Sequence, residues 1–193
     1  MTAPPPDELA DLSRENARLQ AELRGARDRQ TATAEILKVI ASSPDDVQPV
    51  FAAIAESAKR LLGAFSTTVL RFIGEELHLV AYTPISAEAD DALKTSFPRL
   101  LAEFPTFALV RDGATVQFAD TEAENVPPAN RDLGRLRGFR SVLFTPLMNK
   151  GTPIGMISVT RAQPGAFAAH HVQLLQTFAD QAVIAIENVR LFN

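Results

Sequence analysis

The chain has 193 residues, 46% of them hydrophobic and 22% charged, which sets it among folded proteins with one ordinary core and apart from disordered chains. Its 19 basic and 23 acidic side chains leave a formal charge of −4, and without a dense Lys/Arg stripe this argues against a nucleic-acid or anionic-membrane surface. It contains no cysteine, so disulfides, thiolate nucleophiles, cysteine-ligated metals and thioether-linked chromophores are excluded together.

The opening MTAPPPDELADL carries neither a basic leader nor an apolar stretch, so it does not read as a secretory signal. No apolar run approaches the roughly 20 residues that cross a bilayer. The expectation is a cytoplasmic segment with no membrane insertion, disordered over residues 1–6. Between the helix breakers Pro6 and Pro44 lies one long helix candidate over residues 7–42. Placing Leu9 at position a of a heptad puts Leu12, Leu19, Ala26, Thr33 and Ile40 at d, and Asn16, Leu23, Gln30 and Leu37 at a. That three-four spacing is the signature of a left-handed coiled coil. Asn16 at an a position pairs best with its own copy across a parallel two-stranded seam. Gln30 and Thr33 interrupt the seam, and Gly25 weakens the helix by about 1 kcal/mol relative to alanine. A homodimer is therefore expected, with Leu9, Leu12, Asn16, Leu19, Leu23, Leu37 and Ile40 as interface candidates. The competing reading has this helix lying along its own domain.

Residues 43–193 read as the globular part. After a break at Ser43-Pro44-Asp45, apolar residues recur at helical spacing from Val47 to Leu62, and Gly63 stops the helix. Thr67–Ile73 and Leu77–Tyr82, separated by Gly74-Glu75-Glu76, form a hairpin signature. From Pro84 to Val126 the pattern is irregular, apart from a short helix at Ala87–Ser96 and a strand at Thr115–Phe118. A further short helix spans Asn130–Leu136. Two strands follow, Ser141–Met148 and Pro153–Arg161, joined by the turn residues Asn149-Lys150-Gly151. Ala168–Phe192 is a long terminal helix, on which Ala182 and Val189 are further candidates for the dimer interface. The order helix, hairpin, irregular middle, hairpin, helix implies an α+β fold: an antiparallel sheet with helices packed on one face and the middle segment on the other, preceded by a long coiled-coil helix.

FTPLMNKGTPIGMISVTR, from Phe144 to Arg161, and LLQTFADQAVIAIENVRLF, from Leu174 to Phe192, resemble the paired-strand signature and terminal helix of GAF domains. These are sensing modules of bacterial sensor histidine kinases and nucleotide cyclases, with a GAF/PAS-like fold. TATAEILKVIASSPDDVQPVFAAIAESAKRLLGA, from Thr31 to Ala64, resembles the entry into such domains. Independently of family, Pro146 cannot donate to a ladder and suits an edge or bulged position. Gly155 permits close approach of backbone, expected between sheet and helix.

The resemblance implies a small-molecule ligand between the sheet and the middle segment. Its candidate lining is Leu70, Phe72, Tyr82, Phe97, Leu101, Phe104, Phe107, Phe118, Phe144 and Met156, with Arg111, Asp120, Arg140 and Thr145 to orient a polar group. It further implies a regulatory, non-catalytic module of a two-component or similar signalling protein, with an output domain in a longer chain. Two departures narrow the ligand. Many relatives carry a Gly-Arg pair at the short helix near the ligand, where this chain reads Thr106-Phe107-Ala108-Leu109, and the Asn-Lys-Phe-Glu type motif of cyclic-nucleotide binders is not found. Without cysteine, neither covalent bilin attachment nor methionine-sulfoxide reductase chemistry is open, and the ligand's identity stays unknown. His170 and His171 are adjacent, about 100° apart on a helix, and do not form a chelating face. Asp90-Asp91 and Glu122–Glu124 read as solvated acidic surface. The alternative function is a dimerising connector whose pocket is filled by its own phenylalanines, of which there are 12 against one tyrosine.

Overall fold

The computed structural model describes the backbone of residues 6–42 and 48–191; within the first and last helices the side chains of residues 6–8, 28–29, 32–33, 36–37, 39–42, 185 and 188–191 are outside the described set. The expectations at residues 1–5, at the break Ser43–Asp45 and at the side chains of Leu37, Ile40 and Val189 therefore lie outside the described residues. The elements run α1 (Pro6–Ser42), α2 (Gln48–Leu62), β1 (Ser66–Ile73), β2 (Glu76–Tyr82), α3 (Ala87–Thr95), β3 (Arg99–Leu100), a 3-10 turn (Leu101–Glu103), α4 (Pro105–Arg111), β4 (Val116–Phe118), α5 (Pro128–Arg137), β5 (Ser141–Asn149), β6 (Thr152–Arg161) and α6 (Ala169–Leu191). No described helix is long and apolar enough to cross a membrane.

Local chemistry places most boundaries. Gly63 adopts φ +56° immediately after α2, and Gly138 φ +75° immediately after α5, the left-handed conformation that ends helices. The Ser86 side chain accepts from the Ala89 N–H to cap α3. Lys150 and Gly151 both take positive φ, 48° and 81°, and as the two central residues of the β5–β6 turn they supply the type I′ twist that suits a tight hairpin. Pro105 opens α4 in the first turn, where its missing N–H is no loss.

All six strands pair antiparallel in the order β3-β2-β1-β6-β5-β4. This is the α+β sheet expected, with β1 and β6 at its centre. Pro146 lies just past Phe144, the last β5 residue paired with β4, and a register shift follows at Leu147/Met148, so its missing donor falls on an edge beside a bulge. Gly155 departs from expectation. A Cβ there would stand 2.2 Å from the Leu70 carbonyl oxygen, so the close approach is between β6 and β1, not between sheet and helix.

Side chains alternate across the sheet. On one face Val69, Leu143, Leu147, Ile157 and Val159 pack against Val50, Ile54 and Ala58 of α2 and Leu175, Phe178 and Ala182 of α6. On the other, Leu70, Leu77, Val142, Phe144 and Met156 pack against Leu101, Phe104, Phe107 and Val110 of the middle segment. Ala182, expected at a dimer interface, is fully buried in the chain's own core, because the small residues of α6 let that helix sit close on its own sheet. Along α1, by contrast, Leu9, Leu12, Leu19 and Leu23 keep 51–58% of their surface exposed.

Candidate functional site

The layer formed by α3, α4, α5 and their connections covers the sheet face that α2 and α6 leave free. Between them is a small cavity floored by Ser66, Thr68 and Leu70 of β1, Ser158 and Thr160 of β6, and Val142 and Phe144 of β5. Its roof is Leu93, Phe97, Phe107, Leu133, Arg137 and Phe139. The volume is about 20 Å³, room for a single water. Aromatic packing fills the rest: Phe104 stacks on Phe107 at 4.6 Å, and Phe107 meets Phe144 edge-on at 5.3 Å.

Two features make this interior polar. Across the central strand pair, the Ser66 and Thr160 hydroxyls lie 2.7 Å apart, and those of Thr68 and Ser158 2.6 Å apart. Then there is Arg137, only 2% exposed, whose guanidinium donates to the Asp90 carboxylate at 2.5 Å and to the Thr83 carbonyl at 3.4 Å. Asp90 also accepts from the Ile85 N–H at 3.2 Å. Asp90 is thus a correction to the expected solvated acidic pair: it is buried, because the α3 face it occupies turns toward α5. Asp91, one residue on, is exposed and pairs with Lys94 at 3.0 Å.

Outside the cavity, an apolar cleft of about 380 Å³ is lined by Ser96, Phe97, Arg99, Phe104, Ala129, Asp132, Leu133 and Leu136. Phe97 and Leu133 line both spaces. Of the expected ligand contacts, Leu70, Phe97, Phe107 and Phe144 line the cavity, and Phe104 lines the cleft. Phe72, Leu101, Phe118 and Met156 pack in the same layer without lining either space, and Tyr82 faces Lys94 and Arg137 at 5.8 and 5.9 Å.

The four polar candidates are placed elsewhere. Arg111 pairs with Glu75 at 2.9 Å on the surface. Asp120 and Arg140 form a two-pronged ion pair at 2.8–3.0 Å; the Glu122 backbone N–H, and then Arg140, hold the Asp120 carboxyl below its usual range. Thr145 shares its strand face with Leu143 and Leu147, so it points toward the helices, where its hydroxyl is buried without a partner.

The polar groups that do line the cavity, Ser66, Thr68, Ser158, Thr160 and Arg137, were not among the expected ones. A signal existed for the four hydroxyls: they recur at every second residue opposite Thr67, Val69, Ile157 and Val159, the period of one strand face. Arg137 carries no such signal, because a cation in the last turn of a helix is ordinarily placed at the surface, where it complements the helix dipole. No group of three or more His, Asp or Glu side chains comes together among the described residues. His170 and His171 lie ring to ring at 3.9 Å. The His171 pKa is lowered by burial first, then by His170 and Arg161.

Among solved structures the chain is similar to the chromophore-binding domain of a bacteriophytochrome from R. palustris, with TM-score 0.67 at 14% identity, covering 89% of this chain and 64% of that one. It is also similar to a GAF domain from Synechocystis in its photoproduct state, with TM-score 0.65 at 19% identity, covering 76% and 96% of the two chains. A GAF domain/HD domain protein from Geobacter sulfurreducens gives TM-score 0.66 at 18% identity, covering 78% and 97%. At these identities the likeness speaks for the fold. No curated protein matches the sequence. The sequence model of the GAF domain, however, matches residues 46–186, a span that holds the whole sheet and most of both its layers, and the chain belongs to the GAF domain family.

Proposed function

We propose that the chain is a sensory module in which a small molecule held between the sheet and its covering layer alters the seating of α6, and through it α1, to regulate an output domain in a longer protein. The observation that carries this reading is that the cavity floor and the seat of α6 are two faces of the same strands. Thr68 and Ser158 look into the cavity, while Val69 and Ile157, one residue along, pack in the core with α6. A shift of β1 or β6 on one face is felt on the other. Such a ligand moves the equilibrium only by its difference in affinity for the two helix arrangements. The reading includes a non-catalytic role, in the cytoplasm, within a two-component or similar system, as membership of the GAF domain family suggests.

The reading includes a homodimer. The half-exposed leucines of α1 recur at heptad spacing, and Asn16 lies among them. A groove of about 860 Å³ between α1 and the start of α6, lined by Leu19, Leu23, Ala26, His170 and Leu174 among others, adds apolar surface beside that seam. A second reading, the ligand-free connector, draws on the small volume of the interior cavity. Native mass spectrometry with thermal-shift screening against nucleotides, tetrapyrroles and aromatic compounds separates the two: a retained or stabilising small molecule supports the sensor, and a bare mass with no hit supports the connector. Sedimentation of the wild type and of Leu12→Ser/Leu19→Ser tests the dimer, which is expected only in the wild type.

A further inference from the structure

The interior cavity and the outer cleft are divided by two half-buried side chains, Phe97 and Leu133. Phe97 stands in the connection between α3 and β3, so no helix or ladder holds its side-chain direction. Turning its ring out of the wall joins a chamber of one water's size to a cleft of about 380 Å³, and the joined space falls in the range of about 300–1,000 Å³ typical of small-molecule sites.

What that space offers can be counted group by group. The Thr160 hydroxyl donates to the Ser66 carbonyl at 3.1 Å, so the hydrogen between the Ser66 and Thr160 oxygens is the Ser66 one, and this pair is closed. The Thr68 and Ser158 oxygens are 2.6 Å apart. Two hydroxyls carry two hydrogens and only one fits between them. The other has no acceptor among the described hydrogen bonds, and it belongs to the cavity floor. Arg137 brings a charge, but Asp90 at 2.5 Å already cancels it. A ligand carboxylate would set a second negative charge against one guanidinium among mostly apolar walls, which disfavours the ionised form. Four of the eight apolar wall residues are the rings of Phe97, Phe107, Phe139 and Phe144 and the rest are aliphatic; the rings are flat surfaces that favour a planar partner.

We propose that this site takes an uncharged planar aromatic molecule whose carbonyl-type oxygen accepts the free hydrogen of the Thr68–Ser158 hydroxyl pair, with Phe97 as the movable wall. The proposal rests on the sensory reading above and adds the class of the ligand to it.

The test uses 2-naphthamide and 2-naphthoate, the same ring with a neutral and an anionic head. The chain has no tryptophan and one tyrosine, so naphthyl emission is read against a low background. At neutral pH the amide is expected to bind at least tenfold more tightly than the carboxylate. Thr68→Val/Ser158→Ala removes both hydroxyls together, which leaves no orphaned partner and preserves the fold; it is expected to weaken the amide roughly three- to tenfold. Phe97→Ala, which removes the wall, is expected to speed amide association. Equal or tighter binding of the carboxylate, or an unchanged amide affinity in the double variant, overturns the ligand class and leaves the sensor standing. Silence of both probes, in the wild type and in Phe97→Ala alike, overturns the cavity as a ligand site and favours the connector.

Discussion

On the α2/α6 side of the sheet the buried apolar residues are almost all aliphatic, with Phe51, Phe167 and Phe178 as the large members, and interlock around small alanines at 55, 58, 179 and 182, with the hydroxyls of Thr67 and Thr145 among them. On the other side the same strands present two hydroxyl pairs, the covering layer adds phenylalanines and a buried arginine–aspartate pair, and the packing leaves a cavity and a cleft. The first side is the kind of interior that is dense and costly to disturb. The second holds polar groups that must be satisfied and walls that can be rearranged. One sheet thus joins a closely interlocked layer to one that leaves space unfilled, the asymmetry on which the proposed sensor rests.

The contrast can be broken from either side. Phe178→Ala, at a fully buried site, is expected to cost about 3–5 kcal/mol in denaturant unfolding, whereas Phe97→Ala, half-buried beside the cleft, should cost about 1–2 kcal/mol. Similar losses for the two would remove the distinction between the layers. Arg137→Met leaves Asp90 without its cation and is expected to cost about 3–5 kcal/mol, most of it recovered when Asp90→Leu is added. A double variant no more stable than the single one would mean that the pair is not coupled.

Gly155→Ala tests the seam that both layers share. The new methyl meets the Leu70 carbonyl oxygen at 2.2 Å, and a loss of about 1–3 kcal/mol is expected as β1 and β6 separate. The smallest effect is the one with pH. His171 has its pKa lowered below the ordinary 6.5 by burial, His170 and Arg161, so the unfolded chain takes up its proton first. Stability is then complete above about pH 6.5 and declines as the pH falls toward the folded-state value. His171→Gln should flatten that part of the thermal-melt profile.

Most elements were legible in the sequence because local rules place them: the period of α2 and α6, the left-handed glycines after α2 and α5, and the two-residue turn of the β5–β6 hairpin. In the covering layer α3 and α5 were read, but β3 and α4 were not. β3 is two residues long and α4 seven, too short for a period to show, and α4 follows a cluster of phenylalanines whose spacing indicates burial without indicating a helix. The site divided in the same way. Leu70, Phe97, Phe104, Phe107 and Phe144, named on the resemblance, do line the cavity or the cleft, but apolar character alone does not single them out, since Leu100 and Leu109 of the covering layer stay half-exposed. Arg111, Asp120 and Arg140 were assigned to it on residue type alone, and each instead has a surface partner brought near by the fold.

The chain's composition, periodicities and turn residues by themselves determined an α+β domain behind a heptad-bearing helix, since each of those features acts through neighbours a few residues away, while the family rested on the resemblance of residues 144–161 and 174–192. Which polar groups face the cavity was decided only in three dimensions. The pairings of Thr68 with Ser158 and of Asp90 with Arg137 join residues 90 and 47 positions apart. Burial then makes their partners matter: inside the protein an unpaired hydroxyl or charge is costly, and only the completed sheet and its cover determine which groups meet.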